Sequence, residues 1–240
     1  MINADAFNAS TNENATTQRS LYFSMDAACF RGWANRLRIL STKYGLGSAS
    51  FIAEELSKKN KSYLISPYDH PEVITGQGTI GVEIMDEMEP LAVFVPVGGG
   101  GLIAGIAHAI KQKMPHVQII GVEPEMEDDA CLSFHSGVLQ SHRGESSTIA
   151  DAIKIPQLGN LTFPLIQKYV DDMITVTEEE IKAALTLTLE RAHLVAEPAG
   201  ALALAGALKY PFRSQSTQAV VAICSGGNST FKTLQHILNP

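Results

Sequence analysis

Four consecutive glycines, Gly98-Gly99-Gly100-Gly101, stand between an apolar run and a helix-forming stretch. Without Cβ atoms the backbone there can curl tightly and turn several N–H groups outward, and a helix N-terminus just beyond adds its positive dipole. That combination predicts a phosphate cradle, set against the plainer alternative of a loop that only needs tight turns. The loop carries neither the dinucleotide-binding fingerprint with its following ribose acid nor the G-K-[ST] of a Walker A loop. A second small loop, Ser225-Gly226-Gly227-Asn228, follows another apolar run and is either a structural turn or a binding loop. Acidic residues crowd Glu123, Glu125, Glu127, Asp128 and Asp129. Glu123 and Asp129 with an intervening carbonyl could hold Mg²⁺ or Ca²⁺, and the alternative is a solvated helix start whose acids favour the dipole. Glu197, just before Pro198, is an ordinary helix-entry acid or a site carboxylate. The seven histidines show no metal-binding spacing and none neighbours a plausible nucleophile, so none receives a role.

Elements of definite type must position these residues. Leu91–Val97 (LAVFVPV) is a continuous apolar run of strand length, and Leu102–Met114 continues as a helix ending in the basic pair Lys111 and Lys113. Val117–Val122 (VQIIGV) is a second strand, so the unit reads as a right-handed βαβ crossover joining adjacent parallel strands. Thr177–Glu180 (TEEE) matches a capping box and predicts a helix from Glu178 to about Ala192. Pro198 suits the first turn of another helix, and Ala219–Cys224 (AVVAIC) is a buried strand. Upstream, helices are expected at Trp33–Leu40 and Phe51–Lys59 and a strand at Tyr63–Ile65. The fold class is α/β: an open, mostly parallel twisted sheet flanked by helices.

The chain has 240 residues, 45% of them hydrophobic and 18% charged, a composition that folds and buries a large core. A net charge of −7 leaves no broad basic surface for nucleic acid. Three scattered cysteines, Cys29, Cys131 and Cys224, fit neither a disulfide framework nor a zinc cluster and point to a reducing, cytoplasmic setting. No apolar run reaches the roughly 18 residues a membrane span needs, and the first residues lack the charged-then-apolar pattern of a secretory signal. Residues 1–20, rich in Asn, Ser and Thr, are expected to form a mobile tail.

Taken in order, the strings PYDHPEVITGQGTIGVEI (67–84), VPVGGGGLIAGIA (95–107), GVEPE (121–125), TIADAI (148–153), LTFPLIQKYVDDMITVTEEEI (161–181) and CSGGN (224–228) resemble the threonine dehydratase and serine racemase family. These are pyridoxal-phosphate (PLP) enzymes of the tryptophan-synthase β type. The resemblance implies that Gly98, Gly99, Gly100, Gly101 and the Leu102 amide wrap the cofactor phosphate and that Ser225 meets the pyridine nitrogen. It also implies that Glu197 lies near the same ring and that Glu123, the Glu127 carbonyl and Asp129 form a divalent-cation site for Mg²⁺ or Ca²⁺. It makes residues 66–240 the PLP-binding large domain and 21–65 an atypical segment, a remnant of a smaller domain.

The departures are as informative. The family's S-F-K-x-R-G segment, whose lysine forms the Schiff base, and its S-x-G-N-H substrate loop are both absent. The single Phe-Lys pair, Phe231-Lys232, falls in the wrong order in the chain, and no catalytic residue is assigned. Where the family has a His before Pro67 this chain has Ser66, and Ala152 replaces a family Gly. The resemblance implies a threonine/serine dehydratase (ammonia-lyase) forming a 2-keto acid and ammonia from a small hydroxy amino acid, truncated and impaired as this chain. A non-catalytic PLP- or phosphate-binding remnant and a serine racemase-like enzyme are the alternatives. A homo-oligomer is expected.

Overall fold

The computed structural model describes residues 64–142, 144, 146–212 and 218–238, together with 21–22, 55 and 57–61. The expected tail 1–20, the helix 33–40 and most of the segment 21–65 lie outside the described residues. The helix expected to run to Lys59 is seen at 57–60.

Five strands form one sheet in the order β1-β5-β2-β3-β4: β1 (Leu21–Tyr22), β2 (Ala92–Pro96), β3 (Gln118–Pro124), β4 (Asp172–Val176) and β5 (Val220–Ala222). Every pairing is parallel. The helices are α1 (Pro71–Glu87), α2 (Gly101–Lys113), α3 (Asp129–Ser136), α4 (Thr162–Tyr169), α5 (Glu178–Glu190), α6 (Pro198–Lys209) and α7 (Phe231–Leu238). The strand expected at Tyr63–Ile65 is not formed by Leu64 and Ile65, and Tyr63 is outside the described residues. Both side chains are exposed, so neither face has the cover that the buried strands of this sheet have.

Side chains alternate along each strand, and the two faces bury separate cores. Ala92, Phe94, Ile120, Val122, Val220 and Ala222 point to the side covered by α5 and α6. Val93, Val95, Ile119, Val221 and Ile223 point to the side covered by α1, α2 and α4. A strand covered on both faces has no polar side, which is why LAVFVPV and VQIIGV are unbroken apolar runs.

On the second side α1 and α2 touch backbone to backbone. A Cβ at Gly105 would strike the Ile74 carbonyl, and one at Gly78 would lie 3.1 Å from the Gly105 oxygen. The G-x-G-x-x-G string at 76–81 is therefore a helix-packing surface in the middle of α1 rather than a nucleotide loop. On the first side the capping box is complete: the Glu180 amide donates to Thr177 Oγ1 at 3.1 Å and the Thr177 amide to Glu180 Oε2 at 2.8 Å. Thr177→Ala is expected to lower the unfolding free energy in urea by about 1 kcal/mol. An unchanged midpoint would mean that α5 is held by its packing alone.

Candidate functional site

The ladder between β2 and β3 runs on to Val97, whose amide donates to the Val122 carbonyl at 3.0 Å, and the glycine loop begins there. Gly100 takes a left-handed φ of 87° as the N-cap of α2, a conformation costly for any residue with a Cβ. The N–H groups of the first turn of α2, from Gly101 onward, have no acceptor within the helix. The Gly99 carbonyl is turned away and held from behind: it accepts from the Gly159 amide at 3.2 Å and from the Thr162 hydroxyl at 2.8 Å. Holding carbonyls on one side leaves amides on the other, the arrangement an anion requires.

The Ser225 loop follows β5. Phe94 is level with Ala222 in the ladder, so the residues that follow β2 and β5 emerge at the same sheet edge. That is the carboxyl edge, where open α/β sheets bind ligands. Glu197 is the N-cap of α6, its amide donating to the Gly226 carbonyl at 3.1 Å, and its carboxylate lies against Gly226. Gly200 in the first turn of α6 approaches the Gly226 backbone so closely that no side chain fits. Sequence distance therefore conceals one assembly: Glu197, Gly200 and the Ser225 loop are a single packed unit beside the tetraglycine loop.

The acidic residues form the third part. Glu123, Glu127 and Asp129 are 2%, 4% and 3% exposed, which excludes the solvated helix start. Glu123 Oε2 accepts from the Cys131 amide at 2.8 Å, while Glu127 Oε2 and Asp129 Oδ2 are buried without a hydrogen-bond partner. Burial, then the Asp129 charge, pushes Glu123 well above the carboxylate range. Burial, then the Glu127 charge, pushes Asp129 up to about 7. His142 Nδ1 stands 3.5 Å from Glu127 Oε2, placing a histidine here that the spacing did not single out. Among the described residues no group of three His, Cys, Asp or Glu side chains is arranged to hold a metal ion. The expected set was two carboxylates and the Glu127 carbonyl; of the two orphaned oxygens Asp129 Oδ2 belongs to it, and the other is on the Glu127 side chain. Cys131, in contact with this cluster, stays a thiol, since burial and the Glu123 charge push it up to about 11.

Sequence reasoning missed the residues that fasten the cradle. The Tyr68 ring lies where a Gly99 side chain would be, and its backbone crowds Gly101. Burial, with the Asp69 and Asp129 charges, raises the Tyr68 phenol above its usual value. The Asp69 carboxylate accepts from the amides of Asn160 at 3.0 Å, Leu161 at 2.8 Å and Thr162 at 3.3 Å. Ser66 Oγ accepts from the Asp69 amide at 3.0 Å, so the serine at this departure steadies the segment. The one available signal was an acidic residue in PYDHP with no helix of its own to cap. Lys232 is exposed on α7.

The family described as pyridoxal-phosphate dependent enzyme matches residues 38–226. A catabolic L-threonine dehydratase of Escherichia coli (strain K12) is 42% identical over 188 residues, covering 76% of this chain and 56% of the relative. A serine racemase of Dictyostelium discoideum is 40% identical over 189 residues, covering 78% and 58%. The solved structure of maize serine racemase has a TM-score of 0.73 at 33% identity, covering 80% of this chain and 60% of that one. The chain thus spans less than two thirds of the length of these relatives.

Proposed function

Because the chain belongs to the pyridoxal-phosphate dependent enzymes, we propose that it binds pyridoxal 5'-phosphate between its two glycine loops and serves the chemistry of a threonine or serine dehydratase. The observation that carries this reading is the register of β2 with β5, which brings the Gly98–Leu102 cradle and the Ser225 loop to one sheet edge. When bound, PLP supplies an electron sink for breaking bonds at the α-carbon of an amino acid. The chain's own part is to hold and orient. First-turn amides of α2 receive the phosphate, and Gly98, Gly99, Gly100 and Gly101 let it come close. Ser225 offers the pyridine nitrogen a neutral hydroxyl, and Glu197 is held beside it by the α6 entry. Glu123, the Glu127 carbonyl and Asp129 would take Mg²⁺ or Ca²⁺, whose charge would offset the two ligating carboxylates and steady the β3–α3 turn.

Residues 66–240 make the cofactor-binding unit in this reading, with 21–65 as the remnant of a smaller one and 1–20 as a tail. Assembly as a homo-oligomer belongs to the same proposal, supported by the exposed Leu132 and Val138 at α3. Neither S-F-K-x-R-G nor S-x-G-N-H occurs in the sequence. This supports cofactor binding without turnover by the chain alone, since a positioned base is typically worth roughly 10²- to 10⁴-fold.

Titration with PLP followed by absorbance should saturate. Threonine or serine with added PLP and Mg²⁺ should yield no 2-keto acid above the free-cofactor control. A featureless titration would sink the cofactor reading, and robust keto-acid formation would sink the non-turnover reading. Chiral analysis of recovered serine detects a racemase instead.

A further inference from the structure

Resting on the reading of Gly98–Leu102 as a phosphate cradle, we infer that Asp69 is a positioning residue that sets the cradle through the turn at 159–162. Asp69 lies on the segment before α1 and outside the glycine loop. Its carboxylate accepts three successive amides, those of Asn160, Leu161 and Thr162. It thereby caps α4 from another element, a service no residue of α4 performs, since Leu161 at the N-cap offers no side-chain bond.

The cap has a second end. Held by Asp69, the turn presents the Thr162 hydroxyl to the Gly99 carbonyl at 2.8 Å, while the Gly159 amide is shared between Thr162 Oγ1 at 2.9 Å and the same carbonyl at 3.2 Å. Thr162 is fully buried, so this bond does not exchange with water. A peptide unit whose carbonyl is fixed has its following N–H fixed in the opposite direction. The amide of Gly100 is therefore aimed by Thr162, and Thr162 is aimed by Asp69. A charged acceptor holds amides more firmly than a neutral one would, which suits a post that must stay put while the loop takes and releases an anion.

The experiment compares Asp69→Asn, Thr162→Val, Thr162→Ser and the double variant Asp69→Asn/Thr162→Val with the wild-type chain. Two readouts are taken: PLP affinity, and amide hydrogen exchange of the peptide spanning 98–102 without cofactor. Asp69→Asn and Thr162→Val should each weaken PLP about tenfold and accelerate exchange at 98–102. The double variant should lose little more than either single one, because the two act in series. Thr162→Ser, which keeps the hydroxyl, should restore both readouts. Should wild-type chain fail to bind PLP, the functional reading falls, while the exchange comparison still decides whether Asp69 positions the loop. Full additivity in the double variant, exchange at 98–102 unmoved by Asp69→Asn, or Thr162→Ser behaving like Thr162→Val would overturn the inference.

Discussion

Gly99→Asp should raise the dissociation constant for PLP at least about 100-fold, a loss of roughly 2.7 kcal/mol. Two separate effects add. A Cβ at this position runs into the Tyr68 ring, so the ring or the loop must move before any ligand arrives. The new carboxylate then faces an anionic phosphate in a site designed to hold negative charge with neutral amides. Gly99→Ala isolates the first effect and should fall between wild type and Gly99→Asp. Circular dichroism shows whether the variants remain folded. Equal affinities for all three proteins would reduce the tetraglycine loop to a structural turn.

The second large effect concerns the buried acids. The Asp129 carboxyl has an ordinary value of 3.8 and is raised to about 7 in the fold by burial and by the Glu127 charge. A raised acid favours the folded state while protonated. Its contribution is complete below about pH 4 and is lost as pH climbs through 7, a span of about 4 kcal/mol. Glu123, raised for the same reasons, acts in the same sense. With divalent ions chelated, the melting temperature should therefore be higher at pH 5 than at pH 8, where about 2.7 kcal/mol of the Asp129 span is lost, by roughly 5–11 °C for a chain of this size. Mg²⁺ or Ca²⁺ added at pH 8 should recover much of the difference by mass action. Asp129→Asn should shrink both the pH difference and the cation response. Comparing the two proteins isolates this site from other carboxylates in the chain. A wild-type melting temperature as high at pH 8 as at pH 5, without added cation, would mean that the acids are not confined together.

The elements whose positions are written locally were legible in the sequence. LAVFVPV and VQIIGV declare themselves because strands covered on both faces admit no polar side. TEEE and Pro198 fix two helix starts, and each helix is found there. What stayed hidden depends on distant partners. The strand at Asp172–Val176 lies at the sheet edge, and three of its five side chains are only partly buried, so no continuous apolar run marks it. Helix α1 contains Gly76, Gly78 and Gly81, which read locally as loop residues. At Gly78 and Gly81, α2 lies close against that face, and a Cβ there would come within 3.0–3.1 Å of it. In the site, the two glycine loops and the acidic cluster could be read from composition and order. The hold of Asp69 on Leu161, spanning 92 positions, left no trace in either neighbourhood. His142 beside Glu127 is invisible for the same reason.

The register that brings the two loops together also divides the cleft by cost. The glycine contact of α1 with α2 joins positions 78 and 105, and the ladder of β2 with β3 joins Phe94 to Ile120. The α1–α2 frame behind the cradle is thus built from stretches of chain fewer than thirty residues long, while the pins at Asp69 and Thr162 reach across 92 and 63 positions. The Ser225 side depends on Phe94 finding Ala222, across more than half of the polypeptide. Closing that longer loop costs about 1.4 kcal/mol more in chain entropy than closing the α1–α2 contact. The frame behind one wall of the cleft is a neighbourhood affair, whereas the other wall is a long-distance appointment, kept by a strand of three residues.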